Sequence, residues 1–142
     1  MKKTEKRSDC PISRTLDILG DKWTLLILRD ILFRGFHFYT EFLGSDEGIA
    51  TNILSDRLKM LEEKNILVSK TYEKMKRKKE YRITPIGISL VPMVLEMLIW
   101  GLEFDDRTYA LPSMVERYNT DRDNLISEVI KSLKEANDLD FC

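Results

Sequence analysis

The sequence contains little cysteine and histidine, and this scarcity excludes several kinds of site. Its two cysteines, Cys10 and Cys142, are too few and too far apart to form a disulfide framework. The one histidine, His37, has no second metal ligand and no paired carboxylate nearby, so we interpret it as a packing or surface residue. We therefore expect no metal, no cofactor and a reducing, cytoplasmic location.

Long apolar runs and export signals are also missing. The longest uninterrupted run, Leu25 to Leu28, is far shorter than the ~20 residues that cross a bilayer. The N-terminus is charged and is not followed by the apolar segment of a signal peptide. The sequence predicts neither a membrane span nor secretion.

Motifs of enzyme active sites are absent as well. Ser13, Ser55 and Ser89 lie in neither a nucleophile elbow nor a P-loop, so no residues support an enzyme. With 142 residues, of which 43% are hydrophobic, the chain can form one domain with an appendage and a real core.

Charge is distributed unevenly along the chain, although the net charge is only -1. Residues 1 to 101 carry 18 Lys and Arg against 14 Asp and Glu, whereas residues 102 to 142 carry 5 against 10. The first part therefore has a charge of +4 and the last part -5. A basic first part is compatible with a nucleic-acid partner.

The segment from residue 50 to residue 63 has the pattern of an amphipathic helix. At 100° per residue, Leu54, Leu58 and Leu61 fall on one stripe. The opposite face carries short polar side chains that can donate and accept hydrogen bonds, a mixture suited to base edges. We predict a DNA recognition helix in which Asn52, Ser55, Asp56 and Lys59 choose bases, with Thr51 and Arg57 nearer the phosphates or the helix flank.

Three helices are predicted before this one. Pro11 suits the first position of a short helix that ends at Gly20 and carries Ile12, Leu16 and Leu19 on one face. Asp21 is the predicted N-cap of an almost entirely apolar, buried second helix. A short third helix, Thr40 to Leu43, follows the bridging residues 36 to 39.

A basic β-hairpin is predicted after the recognition helix. Apolar and polar residues alternate after Asn65, and a second strand, Glu80 to Ile83, can pair back on the first. Between Lys70 and Arg82 the net charge is +5 in 13 residues. We interpret the hairpin as a flexible wing that contacts DNA backbone or minor groove through Lys74, Lys76, Arg77, Lys78 and Lys79.

The rest of the chain is predicted to be helical. Thr84-Pro85 starts one helix that continues to Trp100-Gly101, a further helical segment begins near Leu111, and Asp121 caps the last helix. With no core left to serve in so small a domain, its apolar stripe is expected to pack on a second copy of the chain. The stripe consists of Leu125, Ile126, Val129, Ile130 and Leu133.

The expected architecture is mainly α with a small two-stranded β wing, an α+β winged helix-turn-helix with additional C-terminal dimerisation helices. We divide the chain into a flexible basic arm (1–9), a DNA-binding domain (10–104) and a helical dimerisation extension (105–142).

Five separated motifs occur in an order that resembles the HxlR-type branch of the MarR-like transcription regulators. The resemblance covers about residues 10 to 104. The motifs are Cys10-Pro11, Gly20-Asp21-Lys22-Trp23-Thr24, Gly48-Ile49 with Leu54, Arg57-Leu58 through Leu61-Glu62, and Tyr81-x-Ile83-Thr84-x-x-Gly87.

The resemblance implies a homodimeric DNA-binding regulator of bacterial genes, with dimer contacts from the terminal helices. It also implies a response to electrophiles or oxidants through Cys10. The chain departs from the family pattern at Phe36 to Phe42, which lack the Arg-Phe common there, and in the wing, which lacks a Pro before its second strand.

The position of Cys10 gives a separate reason to consider a thiol sensor. Cys10 is the expected N-cap of the first helix, where the partial positive charge of the helix end favours the reactive thiolate, and Lys6 and Arg7 add positive charge. Asp9 acts in the opposite direction. The alternative is a cysteine that only packs at a helix start, and we expect Cys142 to be functionally silent.

The sequence is also compatible with other functions. A winged helix can bind protein rather than DNA, and an enzyme subunit is a third, weaker alternative. Trp23 and Trp100 are expected to be core anchors. A gap between the second helix and the terminal helices could admit a small apolar effector.

Overall fold

The computed structural model describes residues 7–105 and 112–138. The first six residues of the predicted arm, the start of the C-terminal helical segment at Leu111, and Cys142 lie outside the described residues. The chain forms helices α1 (Pro11–Leu19), α2 (Lys22–Phe33), α3 (Tyr39–Leu43) and α4 (Thr51–Glu63), strands β1 (Leu67–Tyr72) and β2 (Lys78–Ile83), and helices α5 (Pro85–Ile88), α6 (Val91–Phe104) and α7 (Pro112–Asp138).

The architecture confirms the predicted fold class. Helices α1 to α6 contribute buried residues to one core, and β1 pairs antiparallel with β2 to form a two-stranded wing, with Leu67 opposite Ile83 and Tyr72 opposite Lys78. The second strand begins at Lys78, two residues before the predicted start at Glu80. The predicted recognition helix corresponds closely to α4.

The N-cap at Asp21 is confirmed. Its carboxylate accepts hydrogen bonds from the Trp23 backbone N–H at 3.0 Å and from the Thr24 hydroxyl at 2.5 Å. The first bond satisfies the Trp23 amide, which has no partner within α2. The second gives the hydroxyl of the buried Thr24 a partner. α2 then supplies Leu28 and Ile31 to the centre of the core.

The core is formed mainly by one face each of α2, α4 and α6. Leu54, Leu58 and Leu61 of α4 are at most 1% exposed, as their helical spacing predicts. Gly87 allows α5 to approach the sheet closely, because a Cβ there would meet the Ile83 side chain at 2.3 Å and the Ile66 carbonyl oxygen at 2.7 Å.

The prediction of one continuous helix after Thr84 is wrong. The Thr84 hydroxyl caps α5, but that helix ends at Ile88 and a new helix begins at Val91. Pro92 accounts for the break, because it lacks the N–H that would bond to a carbonyl one turn earlier.

Helices α5 and α6 together form a long apolar segment, Pro85–Phe104. By length and composition it is the one helical segment in the described part of the chain that could cross a membrane. It is also the segment that supplies Val91, Leu95 and Ile99 to the core, and a core helix meets the same criteria. We therefore describe it as part of the core.

The apolar stripe of the last helix packs on its own chain. A second copy is expected from the sequence because the sequence shows no core for this stripe to pack on. Leu125 is 5% exposed, and three more residues of the stripe pack against the core. They are Val129, Ile130 and Leu133. α7 is kinked at the predicted boundary, Asp121, and contacts α6 and β2.

Several apolar side chains are exposed where the sequence predicts core. Ile12 and Leu16 of α1 are 73% and 57% exposed. Trp100, expected as a core anchor, is 63% exposed and stacks on Phe104, with ring centroids 4.7 Å apart. Trp23 is partly buried and packs against the core as expected.

Candidate nucleic-acid interface

The outward face of α4 is the centre of the candidate interface. Thr51, Asn52, Ser55 and Lys59 are exposed on it, opposite the buried leucines. Gly48, with φ of +69°, turns the chain before the helix, a conformation that glycine adopts without steric cost. The helix ends at Glu63, and Asn65 reverses the chain in the left-handed region at φ +57°.

Ion pairs fix the turn that precedes α4. Arg29 of α2 pairs with Glu47 at 2.8 Å, and Arg34 pairs with Asp46 at 3.2 Å. Both arginines also contact the buried carboxyl of Asp30. Burial raises the pKa of Asp30 above its usual value, although the hydrogen bond and charge of Arg29 act in the opposite direction. The position of α4 is thus set by charged contacts to α2 as well as by its leucines.

Arg57 has a different environment from the other residues predicted to bind DNA. Its Nε donates to the Asp21 carboxylate at 2.9 Å, and its Nη1 pairs with Asp56. Burial raises the pKa of Asp21, but hydrogen bonds from Thr24, the Trp23 amide and Arg57 outweigh this effect and lower it. Arg57 therefore joins α4 to the N-terminus of α2 and orients Asp56.

The wing carries a concentration of exposed cations. Lys74, Lys76, Arg77 and Lys78 are exposed around the turn between β1 and β2. Lys76 and Arg77 both have left-handed backbone conformations, with φ of +56° and +57°. Lys79 instead pairs with Glu62 of α4 at 3.2 Å; burial lowers its pKa, but Tyr81 and Glu62 raise it by more, so that the net pKa is above the usual value.

Contacts with the chain before α3 hold the base of the wing. The Tyr81 amide donates to the His37 carbonyl oxygen at 2.6 Å, and the buried Glu80 accepts hydrogen bonds from Tyr72 at 2.6 Å and Arg82 at 2.9 Å. These bonds outweigh burial and lower the pKa of Glu80. The His37 ring also contacts the wing, because its Nδ1 lies 3.2 Å from the Tyr81 carbonyl oxygen.

One neighbour of the recognition helix is not predicted by the sequence. The Tyr39 hydroxyl donates to the Thr51 carbonyl oxygen at 3.3 Å and accepts from the Ser55 hydroxyl at 3.4 Å. The sequence pattern identifies residues 36 to 39 only as a bridge. The run of aromatic residues beside α3 is the available signal, but the sequence does not show which element they contact.

Cys10 is exposed and occupies the N-cap of α1, as predicted. Its backbone N–H donates to the Ser8 hydroxyl at 3.1 Å. The Arg7 guanidinium bonds to Asp17 at 2.7 Å and to the Ser13 hydroxyl at 2.8 Å. The charge of Arg7 is thus paired with Asp17, and Lys6 is outside the described residues.

An apolar cavity of about 340 Å³ lies between α2 and α6. It is in the region where the sequence suggests a gap. Its lining consists of Lys22, Leu25, Leu26, Arg29, Phe33, Val94, Met97 and Leu98. Among the residues that the structure describes, no cluster of His, Cys, Asp and Glu side chains could hold a metal ion.

Comparisons with known proteins agree with this geometry. A family model described as HxlR-like helix-turn-helix matches residues 18–109. The uncharacterised HTH-type transcriptional regulator YdeP of Bacillus subtilis (strain 168) is 33% identical over 98 residues, which are 69% of this chain and 76% of YdeP.

Two solved structures are similar in both sequence and fold. PA1607, crystallised as a candidate transcription factor, is 37% identical with a TM-score of 0.62, covering 75% of this chain and 71% of that one. The oxidised form of the redox regulator HypR is 32% identical with a TM-score of 0.60, covering 66% of this chain and 96% of HypR.

Proposed function

This chain belongs to the HxlR-like helix-turn-helix family and is a winged-helix transcription regulator, and on that premise we propose that it binds specific DNA sites as a homodimer. The observation that supports this most is the exposed polar face of α4 beside a wing rich in cations. Such a regulator acts in the compartment that holds the DNA, the bacterial cytoplasm.

We assign base recognition to the exposed face of α4. Asn52 can bond an adenine through two atoms, Asp56 can accept from a cytosine amino group, and Ser55 can bond either base edge. Lys59 completes this face, and Thr51 at the first turn is closer to the phosphates. Arg57, predicted from the sequence as a DNA contact, is assigned to positioning because Asp21 and Asp56 hold it.

The wing is assigned to sequence-independent binding. Lys74, Lys76, Arg77 and Lys78 are exposed, and a cation that neutralises a phosphate releases a counterion. Lys79 is half-buried and paired with Glu62, so its main effect is to hold the wing against α4. The wing cations would contact the backbone or the minor groove beside the major groove that α4 enters.

The dimer surface that we propose differs from the one inferred from the sequence. The C-terminal stripe packs within its own chain, whereas Met97, Trp100 and Phe104 form an exposed stripe on α6. Ile12 and Leu16 are exposed on α1. Burying a large apolar side chain contributes about 1.5–3 kcal/mol, so these five residues in each copy are our candidates for the contacts that stabilise the dimer.

A twofold dimer places two recognition helices in successive major grooves, about 34 Å apart, so the operator is expected to be an inverted repeat. The test is to select bound sequences from genomic fragments with the purified full-length protein. Recovery of a shared inverted repeat whose binding weakens steeply with salt supports the proposal. Fragments without a common sequence would contradict it.

The alternative is a winged-helix module that binds another protein. The same experiment separates the two functions, because such a module would retain no duplex DNA even at low salt. The exposed wing cations favour DNA, since a protein-binding surface needs no such concentration of one charge.

We further propose that Cys10 makes DNA binding sensitive to oxidants or electrophiles. Its exposure at the start of α1 supports this, as does the similarity to the redox regulator HypR. A modified Cys10 would act through α1, which carries part of the proposed dimer surface. Mild electrophile treatment should lower operator binding of the wild type and spare Cys10→Ser; an equal decrease in both would exclude Cys10 as the sensor.

We place the expected effector site in the cavity between α2 and α6. Its mainly apolar lining suits an apolar ligand of moderate size. A naphthalene-sized fluorescent probe should bind the wild type, and Leu98→Trp should abolish that binding by filling the space. Unchanged binding to the variant would show that the probe lies elsewhere.

A further inference from the structure

A second cleft lies between the start of α3 and the wing. It has a volume of about 290 Å³ and combines aromatic walls with cations. Its lining consists of Phe38, Tyr39, Thr40, Arg77, Lys78, Lys79 and Tyr81. The sequence alone predicts DNA contacts from the three cations of this set and from no residue on the α3 side.

The two walls of the cleft are fixed relative to each other. Phe38 forms a β-bridge with Glu80, and the Tyr81 amide donates to the His37 carbonyl oxygen at 2.6 Å. The Tyr81 ring makes an edge contact with the buried Phe42 of α3, with centroids 6.2 Å apart. The cleft is therefore a preformed part of the fold rather than a space beside a loose hairpin.

The cations in the cleft differ in their bonding. The Lys78 ammonium lies over the Phe38 ring, 4.0 Å from its centroid, a cation–π contact that holds the charge at the cleft wall. Within the described ranges, neither Lys78 nor Arg77 forms an ion pair with a carboxylate, whereas Lys79 pairs with Glu62. Two cations thus remain to attract an anion.

The cleft is also connected to the recognition helix. Tyr39, one of its walls, bonds through its hydroxyl to the Thr51 carbonyl oxygen and to the Ser55 hydroxyl. A group bound in the cleft would therefore lie close to the first turn of α4. If α4 enters a major groove, the nearest anionic groups are the phosphates that border that groove.

We propose that this cleft binds one phosphate group of the DNA backbone. Lys78 and Arg77 supply the charge, the exposed Thr40 hydroxyl supplies a hydrogen bond, and Phe38 is a positioning residue that holds Lys78 in place. The proposal rests on the proposed function and adds residues of α3 and the segment before it to the DNA-binding surface. The cleft would hold one particular phosphate. The wing as a whole, in contrast, is expected to contact the DNA backbone without selecting a particular phosphate.

The test measures the affinity of the full-length protein for its selected operator as a function of salt. Because Lys78→Gln leaves one phosphate without its cation, it should reduce the slope of log K against log[salt] by about 0.9. When the salt concentration rises fourfold, the affinity of the wild type should fall about 3.5 times further than the affinity of this variant. Phe38→Leu should reduce the slope in the same direction, and Phe38→Tyr, which keeps a ring under Lys78, should restore it.

A set of operators with one uncharged methylphosphonate at each backbone position identifies the phosphate. At one position near the α4 half-site, the methylphosphonate should weaken DNA binding by the wild type and have no further effect on DNA binding by Lys78→Gln. Lys74→Gln is the matched control, since Lys74 is an exposed wing cation outside the cleft, and it should remain sensitive at that position.

The outcomes separate this inference from the proposed function. A wild type that binds no DNA would overturn both. If the operator binds with a steep salt dependence, but Lys78→Gln and Lys74→Gln respond alike at every methylphosphonate position, the regulator stands and the phosphate cleft does not.

Discussion

Asp21 has three functions in one side chain: it caps α2, bonds Thr24 and holds Arg57 of the recognition helix. Asp21→Asn keeps an oxygen for the cap and removes the ion pair. Because the pair is partly exposed, we expect a decrease of about 1 kcal/mol in the free energy of unfolding at pH 7.

This decrease should depend on pH. The folded state lowers the pKa of Asp21, so its stabilisation is present above the unfolded pKa of about 3.9 and disappears as pH falls through the folded value. Urea unfolding of the wild type and Asp21→Asn should therefore converge below about pH 4. Asp123→Asn, on the exposed side of α7, is the charge control; a difference that persists in acid would refute this assignment.

Lys76 occupies a backbone conformation that suits glycine or asparagine better than lysine. Lys76→Gly should stabilise the protein by about 0.5 kcal/mol. Glycine removes the left-handed backbone strain of the folded state, and this gain exceeds the cost of the greater conformational entropy that glycine gives the unfolded chain. The same change should weaken DNA binding by removing a cation. Lys74→Gly removes a cation at a position without positive φ, so only the Lys76 variant should combine a higher urea midpoint with weaker binding.

At the level of elements, α7 shows why a stripe of apolar residues does not identify its partner. Leu125 packs in the same chain. Leu125→Ala should therefore lower the free energy of unfolding by about 2–4 kcal/mol and leave the dimer intact. Met75→Ala, at the exposed wing tip, should change it by less than about 0.5 kcal/mol. A stable, monomeric Leu125→Ala would instead support the sequence-based dimer surface.

The elements differ in how well the sequence predicts them. α4 is predictable because its leucines recur at helical spacing and Asn65 follows its end, both local signals. The break between α5 and α6 is harder to predict although Pro92 is visible, because the apolar pattern continues through it. The α3–wing cleft is not predictable, since it depends on a bridge between Phe38 and Glu80, 42 positions apart in the sequence.

At the level of the whole molecule, the exposed stripe on α6 provides the test of the dimer. Trp100 is 63% exposed in the single chain and stacks only on Phe104 among the ring contacts of the described residues. Trp100→Glu would bury a charge in the proposed interface, so sedimentation should show monomers with unchanged helical content. Met75→Glu places the same charge at the wing tip and should remain dimeric; monomers from both, or dimers from both, would contradict the proposed surface.

The most direct test of DNA reading compares the recognition helix and the wing on two DNA duplexes, the selected operator and a random sequence. Asn52→Ala should weaken binding by about 1–3 kcal/mol on the operator and hardly at all on random DNA. Changing Lys74, Lys76, Arg77 and Lys78 to Gln should weaken both duplexes alike and reduce the salt slope by about 0.9 for each phosphate that is no longer neutralised. If Asn52→Ala weakens operator and random DNA alike, α4 does not read bases; if the wing variant keeps the wild-type salt slope, the wing does not hold the backbone.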